Sequence, residues 1–519
     1  MLSFAWWLSL TVGFLSLSEE ILWVRVLGFA YQGQASAFAF VLSCYLIGIA
    51  CGAAYGKRLC GRAHDLYGVA AMILAVASLD DVLTPLMIGH LISKDSGLLV
   101  PAVAIVLTAG IKSVLFPIVH HLGSQAQGPR IGRSMSRIYF GNILGATLGP
   151  LVTGFVALDR LSVDECFAVS AGMCVLASIA CGLKSSGRVL AKPVMAAAGA
   201  TAIIAILTIR PGAGSLARIA AEGPDAMIFY AANRHGIVHT AKALRGETIF
   251  GGNVYDGLTS VNPDRNGNRL DRVYILGLVM PGPKHVLFVG LAGGAWLRAL
   301  LGFPGVESVD VVEINPAYLD LIRERPDVAG LLSDPKVHIH IDDGRRWLRR
   351  HPGLKFDAIV QNTTFHWRAN AGNLLSREYL SQCKDHLNPG GVTLLNTTGS
   401  YDVPATVQAV FPYAYRYVNF VYASDHPLTV SLDKLWDVRR PDGRLFSSAD
   451  GAARNGVVAR LTDARLEPVD ELLAHSGISA EIITDDNLIS EYRHGMRFGP
   501  AILQLLQPPT PPKMPAEGL

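Results

Sequence analysis

The chain has 519 residues, half of them hydrophobic and 17% charged, with a formal net charge of +3. That length allows two or more domains, and the charged fraction falls short of the roughly 25% usual in soluble proteins. A balance so near neutrality, without a Lys/Arg block, excludes a phosphate-tracking surface and with it nucleic acid as a partner. Cys44, Cys51, Cys60, Cys166, Cys174 and Cys181 lie in or beside apolar segments, and Cys383 lies outside them. No pair has the close spacing of a zinc or redox site, so no metal is expected.

Residues 1–210 are predicted to be an all-α transmembrane bundle. Apolar stretches near the ~20 residues that cross a bilayer recur at 3–24, 36–56, 67–92, 97–118, 138–158, 165–183 and 193–209. The first does not read as a cleavable signal peptide, because it lacks a basic start and a small-residue cleavage site. Gly141, Gly145, Ala146, Gly149 and Gly154 would let the fifth span approach its neighbours closely. Basic residues favour one set of loops: Lys57, Arg58, Arg62, Arg130, Arg133, Arg137, Lys184, Arg188 and Lys192, against Arg25, Lys94 and Arg160 in the other set. By the positive-inside rule the richer set and the N-terminus face the cytoplasm.

Seven crossings from that start would leave the C-terminal part outside, away from the cellular adenosyl cofactors. A cytoplasmic C-terminal domain therefore needs the Ala-rich seventh segment to lie along the interface, or an eighth crossing within the long third segment. An external domain is the remaining alternative. Chemistry favours the cytoplasmic placement, in a multi-pass protein of the cell (inner) membrane. Glu19, Glu20, Asp80, Asp81 and Lys112 fall inside these spans. Charge there is costly, so each is a functional candidate facing the bundle interior, unless it sits at a helix end or snorkels.

Residues 281–500 read as an α/β, Rossmann-like domain. Val286–Val289 is a strand running into Gly290-Leu291-Ala292-Gly293-Gly294, followed by a helical stretch, Trp296–Leu301. Ser308–Val312 ends at Glu313, a helix covers Tyr318–Arg323, and Val337–Ile341 ends at Asp342-Asp343-Gly344. Phe356–Val360 ends at Gln361-Asn362-Thr363-Thr364. Such alternation predicts a parallel sheet with helices on both faces and a ligand at the carboxyl ends of the strands. The glycines let backbone approach a ligand, and the helix start offers free N–H groups. Glu313 is placed to accept hydrogen bonds from both ribose hydroxyls, and Asp343 to accept one from the adenine amine. Against a dinucleotide, the turn reads G-L-A-G-G rather than G-x-G-x-x-G, and Asp-Gly after the third strand suits an adenosylmethionine-type pocket. Residues 501–519, with Pro-Pro-Thr-Pro-Pro, read as a Pro-rich tail.

The runs VLFVGLAGGAWLRALL, VESVDVVEINPAYLDLI, VHIHIDDGRRWLRR, FDAIVQNTT and LLSREYLSQCKDHLNPGGVTLLN resemble the spermidine synthase (polyamine aminopropyltransferase) family over about residues 230–400. The runs GFLSLSEEILWVRVLGF and YFGNILGATLGPLVTGF resemble the membrane region of bacterial proteins that fuse a transporter-like bundle to such a domain. The resemblance implies a pocket for S-adenosylmethionine or its decarboxylated form, made by Gly290, Ala292, Gly293, Gly294, Glu313, Asp342, Asp343 and Gly344. It makes residues 225–280 the family's small β-rich element. It also implies the lipid bilayer and a small-molecule acceptor, such as a polyamine, as partners, and leaves room for a homodimer.

The reaction centre departs from the family. Its members carry an Asp-Ser/Thr-Ser/Thr-Asp run after the fourth strand, whose first Asp orients and deprotonates the attacking amine. Here the run is Asn362-Thr363-Thr364-Phe365, without either carboxylate, and an amide cannot take a proton from an ammonium. The family's Tyr-His/Gln-Glu run becomes Arg269-Leu270-Asp271, retaining at most the acid and adding a group that repels a cationic amine. Asn362, Thr363 and His366 are the catalytic candidates, His366 being the obvious group there that titrates near neutrality. Asp271, Thr364, Trp367 (by stacking) and Arg368 (toward a carboxylate or phosphate) are the acceptor-binding candidates. Asp485 and Asp486, in a run that resembles a C-terminal motif of the membrane-fused proteins, are placed to supply negative charge. The plainer alternatives are a helix cap for His366 and the Asp pair and a core position for Trp367.

The expected activity is membrane-bound transfer of an aminopropyl or related alkyl group. A methyltransferase using the carboxylated cofactor is one alternative. A polyamine-related transporter or sensor that binds ligand without turnover is the other.

Overall fold

Among the described residues the N-terminal part contains eight α-helices: α1 (Leu2–Ala30), α2 (Ala35–Cys60), α3 (Leu66–Leu91), α4 (Leu99–Ser113), α5 (Leu115–Gln125), α6 (Ile131–Val152), α7 (Val163–Gly182) and α8 (Ala191–Thr208). The computed structural model describes residues 2–91, 97–125, 131–186, 191–208, 215–216, 227–243, 246–280, 282–362, 365–448, 456–487 and 489–493. It divides near residue 225 into two units. Thr363, Thr364 and the tail 501–519 lie outside the described residues.

Among the described residues, five helical stretches are long and apolar enough to cross a membrane: Ala35–Cys60, Leu66–Pro85, Leu99–Ser124, Gly132–Ala157 and Val163–Gly182. They coincide with five of the seven expected crossings. The other two, in α1 and α8, are not among these five. Glu19, Glu20 and Arg25 interrupt α1, and the apolar part of α8 is only Ala196–Ala205. The third segment is a single helix, so it hides no additional crossing.

Glycine sets the closeness of this packing. A Cβ at Gly13, Gly145 or Gly149 would lie 2.3, 1.9 or 2.4 Å from a carbonyl oxygen of the facing helix, which locks α1 against α6. Gly48, Gly52 and Gly56 do the same for α2, each within 2.6 Å of a carbonyl oxygen of Val106, Gly110 or Val114. Small residues four apart share one helix face, so backbones meet there and gain the dispersion contacts that hold helices together without a hydrophobic driving force. Ser162 and Glu165 form a reciprocal capping box that starts α7.

The second unit begins with a four-stranded sheet in the order β1 (Met227–Asn233), β2 (Gly236–Ala243), β3 (Gly246–Gly251), β4 (Val254–Leu258). The β2–β3 and β3–β4 pairs are antiparallel. Phe229, Val238 and Ile249 of this sheet pack on Ala317, Tyr318 and Leu321 of the helix Ala317–Arg323. The strands of the predicted β-rich element end at Leu258, and Asp271–Val279 is a helix whose apolar side enters the main core.

The main sheet contains β5 (His285–Val289), β6 (Ser308–Glu313), β7 (Val337–Ile341), β8 (Phe356–Gln361), β9 (Leu387–Asn396), β10 (Tyr413–Tyr417), β11 (Phe420–Ser424) and β12 (Glu467–Pro468). Its order is β12-β10-β11-β9-β8-β5-β6-β7. Strands β9, β8, β5, β6 and β7 run parallel, as expected, and β11, β10 and β12 add an antiparallel edge. Both faces are covered: one core contains Val286, Phe288 and Val311, the other Leu287, Val289 and Ile359. Alternate residues of one strand thus feed opposite cores, as the two-residue period of a strand requires. β5 lies between β6 and β8, so chain connections leave it in opposite directions. That is the switch point where an open parallel sheet leaves a crevice.

Candidate active site

The crevice is shaped first by the turn after β5. Gly290, Ala292 and Gly294 have φ of 85°, 46° and 77°, a left-handed conformation that glycine adopts without strain. The turn is tied to its neighbours by Gly290 N–H donating to Val312 O (3.0 Å) and Asn362 N–H donating to Val289 O (2.9 Å). At Gly293 the restriction is space, since a Cβ would come within 2.3 Å of Ile249 Cδ1 of β3. The four-stranded sheet therefore closes over the turn.

Glu313, at the tip of β6, is 3% exposed and accepts from Leu291 N–H (2.7 Å) and Asn315 N–H (2.8 Å). Burial pushes its carboxyl up to about 7, against the pull of those amides, and the Asp256 carboxylate adds to the rise. Asp256 of β4 is pushed up to about 6 by burial, opposed by the Tyr318 hydroxyl, which donates to it, and by the Arg368 guanidinium. Burial raises the Tyr318 hydroxyl well above its ordinary range, and the Asp256 charge reinforces this. Burial also lowers Arg368. Glu313, Asp256, Tyr318 and Arg368 are thus electrostatically linked behind the turn.

Asp342 accepts from Arg346 Nε (2.5 Å) and Arg350 (3.2 Å). Slight burial works against its ionisation, but Arg346 and the Asp343 N–H outweigh it and hold the carboxyl below its ordinary range. Asp343 caps the helix Gly344–Arg350 by accepting from Arg346 N–H at 2.8 Å. Gly344 has no room for a side chain, because a Cβ would meet Val289 Cγ1 at 2.7 Å. Next to Asn362, the Gln361 carboxamide is fully buried, and neither its oxygen nor its nitrogen has a hydrogen-bond partner among the described residues.

A cavity of about 410 Å³ opens in front of the turn. Leu291, Ala292, Gly293, Gly294 and Asn362 form one wall, and Tyr255, Asp256 and Gly257 another. The opposite side is the segment Asn396–Tyr401 after β9, with Arg269, Arg272, Arg416 and Asn419. Arg272 donates to Asn419 Oδ1 at 2.8 and 3.0 Å, and Asn419 Nδ2 donates to Asn396 Oδ1 at 2.9 Å, which fixes this side. Burial lowers Arg269, and the neighbouring Arg272 and Arg460 charges lower it further.

The predicted residues distribute as follows. Ala292, Gly293, Gly294 and Asn362 line the cavity; Gly290 is the hinge of the turn; Glu313, Asp342, Asp343 and Gly344 lie at the strand tips without lining it. His366 is 5% exposed and reaches the cavity through Thr398: its N–H donates to Thr398 Oγ1 (3.0 Å), and its Nδ1 lies 2.6 Å from the same oxygen. Trp367 is buried with its ring stacked on Phe365 (5.6 Å), and of the two only Phe365 lines the cavity. Arg368 faces Asp256 and Tyr318.

Asp271 is fully buried, accepting from Asn266 (2.6 Å), Tyr417 (2.9 Å) and Arg272 (3.4 Å). Asp485 is held by both nitrogens of Arg345 (2.7 and 2.5 Å) and by Ser376, while Glu491 accepts from Asn370 and Gly372 N–H. Asp486 follows Asp485 in a turn bracketed by the Thr484–Asn487 bridge. Sequence reading missed Asp256, Arg272 and the Asn396–Tyr401 segment. Their signals were the Tyr255-Asp256-Gly257 run and the Asn/Thr/Gly/Ser run that ends the fifth parallel strand.

Residues 274–420 match the spermine/spermidine synthase domain family. A polyamine aminopropyltransferase of Mycobacterium tuberculosis is 27% identical over 388 residues, 72% of this chain and 73% of that protein. Spermidine synthase 1 of Hyoscyamus niger is 32% identical over 114 residues, 22% of this chain and 36% of that protein. A crystal structure of spermidine synthase in complex with the transition-state analogue AdoDATO has a TM-score of 0.34 at 17% identity, covering 41% of this chain and 77% of that one. The mycobacterial match is longer than everything after residue 225, so it reaches into the helical unit. Residues 274–420 are thus similar to the spermine/spermidine synthase domain family, and the likeness to the polyamine aminopropyltransferases extends beyond that stretch.

Proposed function

We propose that the α/β unit binds decarboxylated S-adenosylmethionine and transfers its aminopropyl group to a small amine, in a membrane-bound protein with this unit on the cytoplasmic side. The observation that carries the reading is the cavity joining the left-handed turn, Asn362 and the Asn396–Tyr401 segment. Its size suits a sulfonium arm and a short acceptor together. Glu313, at the tip of β6 behind the turn, is read as the acceptor pair for a ribose diol. The relatives' printed activity points the same way.

In such a transfer the amine lone pair forms a C–N bond as the C–S bond breaks, and the electron pair leaves on sulfur as a neutral thioether. Positioning and exclusion of water then supply most of the rate. The proton released by the amine still needs a base. Asn362 cannot accept it. Asp256 is the carboxylate among the described lining residues, and its value of about 6 leaves it largely ionised at neutral pH. Asp256 is therefore read as the base in place of the missing Asp, with Tyr318 holding it in position.

The test is product analysis on the full chain in lipid nanodiscs, supplied with decarboxylated S-adenosylmethionine and putrescine or spermidine. Methylthioadenosine should form, and Asp256→Asn should lower its rate by about 10²-fold or more. Failure to bind any adenosyl compound would overturn the reading. The Arg269 guanidinium in the cavity favours one second reading, methyl transfer from a donor that keeps its carboxylate. Tighter binding of S-adenosylmethionine than of its decarboxylated form would select it.

A further inference from the structure

Four ionisable side chains meet inside the helical unit. Lys112 Nζ of α4 lies 2.6 Å from Glu19 Oε2 of α1 and 2.5 Å from Asp81 Oδ1 of α3, and the three side chains are at most 2% exposed. One carboxylate oxygen each of Glu19, Asp80 and Asp81 lie within 4.8 Å of one another. Cys174 of α7 donates to Asp81 Oδ2 at 3.7 Å, and Tyr45 of α2 donates to Ser16 O beside the cluster. Half-buried Glu20 is the next ionisable neighbour along α1.

Charge does not balance if every group is ionised, because one ammonium faces three carboxylates. An uncompensated charge in an apolar interior is far more costly than a neutral, hydrogen-bonded carboxyl, and groups so placed take up protons instead. The unused oxygens point the same way. Glu19 Oε1 and Asp80 Oδ2 are buried without a hydrogen-bond partner. Thr108, 1% exposed, is the side-chain hydrogen-bond neighbour of Asp80. It sits one turn before Lys112 on the same buried face of α4, and faces Asp80. Lys112 already bridges Glu19 and Asp81, where a metal ion would have to stand.

We propose that Glu19, Asp80, Asp81 and Lys112 form a proton-binding site in the helical unit, with protons taken from water onto Glu19 and Asp80 and with Lys112 as the fixed partner of Asp81. Two added protons make the group neutral, and each forms an O–H bond at an oxygen that now has no partner. Such a site is the element by which proton-linked carriers and relays handle charge within a bilayer. It is independent of any chemistry in the α/β unit.

The experiment is infrared spectroscopy of the full chain in lipid nanodiscs at neutral pH, comparing wild type with Glu19→Gln and Asp80→Asn. Each substitution should remove intensity from the protonated-carboxyl C=O band and leave the ionised-carboxylate bands unchanged. Loss from the ionised bands instead overturns the proposal. A second measurement on wild type needs no variant to fold: the melting midpoint while choline is replaced by Na⁺ at constant ionic strength. An unchanged midpoint supports a proton site. A saturable rise with Na⁺ makes it an alkali-cation site and overturns the proposal.

Discussion

Glu313→Gln separates the ligand-binding account from a purely structural one. The carboxylate accepts from two backbone N–H groups, Leu291 at 2.7 Å and Asn315 at 2.8 Å. A glutamine oxygen can satisfy one of them, while its NH₂ faces the other donor to donor. A buried N–H left unmet costs about 1–3 kcal/mol, which offsets the stability gained at neutral pH by removing a carboxyl whose ionisation the folded chain disfavours, so the melting midpoint should change little there. Loss of a charged acceptor for the ribose diol costs a further ~1.5–3 kcal/mol of binding, about 10- to 150-fold in the Kd for methylthioadenosine measured by titration calorimetry.

The pH dependence distinguishes the two roles. The Glu313 carboxyl is pushed from its usual 4.5 up to about 7, and the ionised form is the better acceptor. Wild-type affinity should therefore rise with pH, by up to about tenfold per unit below 7, and level off above it. The variant should show a flat profile. Stability moves in the opposite sense: between 4.5 and about 7 the folded chain holds a proton that the unfolded chain has lost. Glu313 therefore costs stability as pH rises through that window, on the order of 3 kcal/mol by its upper end. An affinity within twofold of wild type, with the pH slope retained, would refute the assignment of Glu313 to the ribose.

Three further outcomes are expected. Asn362→Asp, which restores a carboxylate at the cavity wall, should raise the rate with putrescine by about 10²-fold; a rate unchanged in a quenched-flow assay would place the attacking amine elsewhere. Gly293→Ala sets a Cβ 2.3 Å from Ile249 Cδ1; it should destabilise the chain by about 1–3 kcal/mol in thermal melts, and Ile249→Val should restore most of that, whereas no rescue would mean that the strain lies in the backbone. Asp485 is held below its ordinary range by Arg345 first, against the effect of burial, so the stability it adds is present above that range and lost as pH falls through the lowered value. Because the pair is partly exposed, Asp485→Asn should cost less than ~1 kcal/mol and leave the acceptor KM unchanged; a large rise in KM would return Asp485 to the acceptor site.

Much of the α/β unit was legible because its signals are local. A buried strand followed by glycines, then strands ending at Glu313, Asp342 and Asn362, specify an alternating parallel layout wherever the chain goes next. The apolar helices were legible for the same reason, down to the glycines of α6 that meet α1. Two expected crossings, in α1 and α8, are not among the five helices long and apolar enough to cross a membrane among the described residues; α1 carries Glu19, Glu20 and Arg25, and the apolar part of α8 is Ala196–Ala205. Long-range pairing was not legible. Asp256 becomes a site residue only because the small sheet packs on the helix Ala317–Arg323 and brings Tyr318 to it. Asp271 and Asp485 looked available as free charges, yet each is engaged by residues far along the chain, Tyr417 for the first and Arg345 for the second.

The residues alone determined the two-part organisation, the apolar helices, the Gly-rich turn and the carboxylate-free run Asn362-Thr363-Thr364-Phe365, because each depends on composition or spacing within a few turns of chain. Only the tertiary structure decided which charges remain free to act. It engaged Asp271 with Asn266 and Tyr417 and Asp485 with Arg345, delivered Asp256 to the cavity, and set Lys112 between Glu19 and Asp81 from two other helices. The physical reason is that the state of an ionisable group depends on burial and on partners within a few ångströms. In a folded chain those partners come from segments tens or hundreds of residues away.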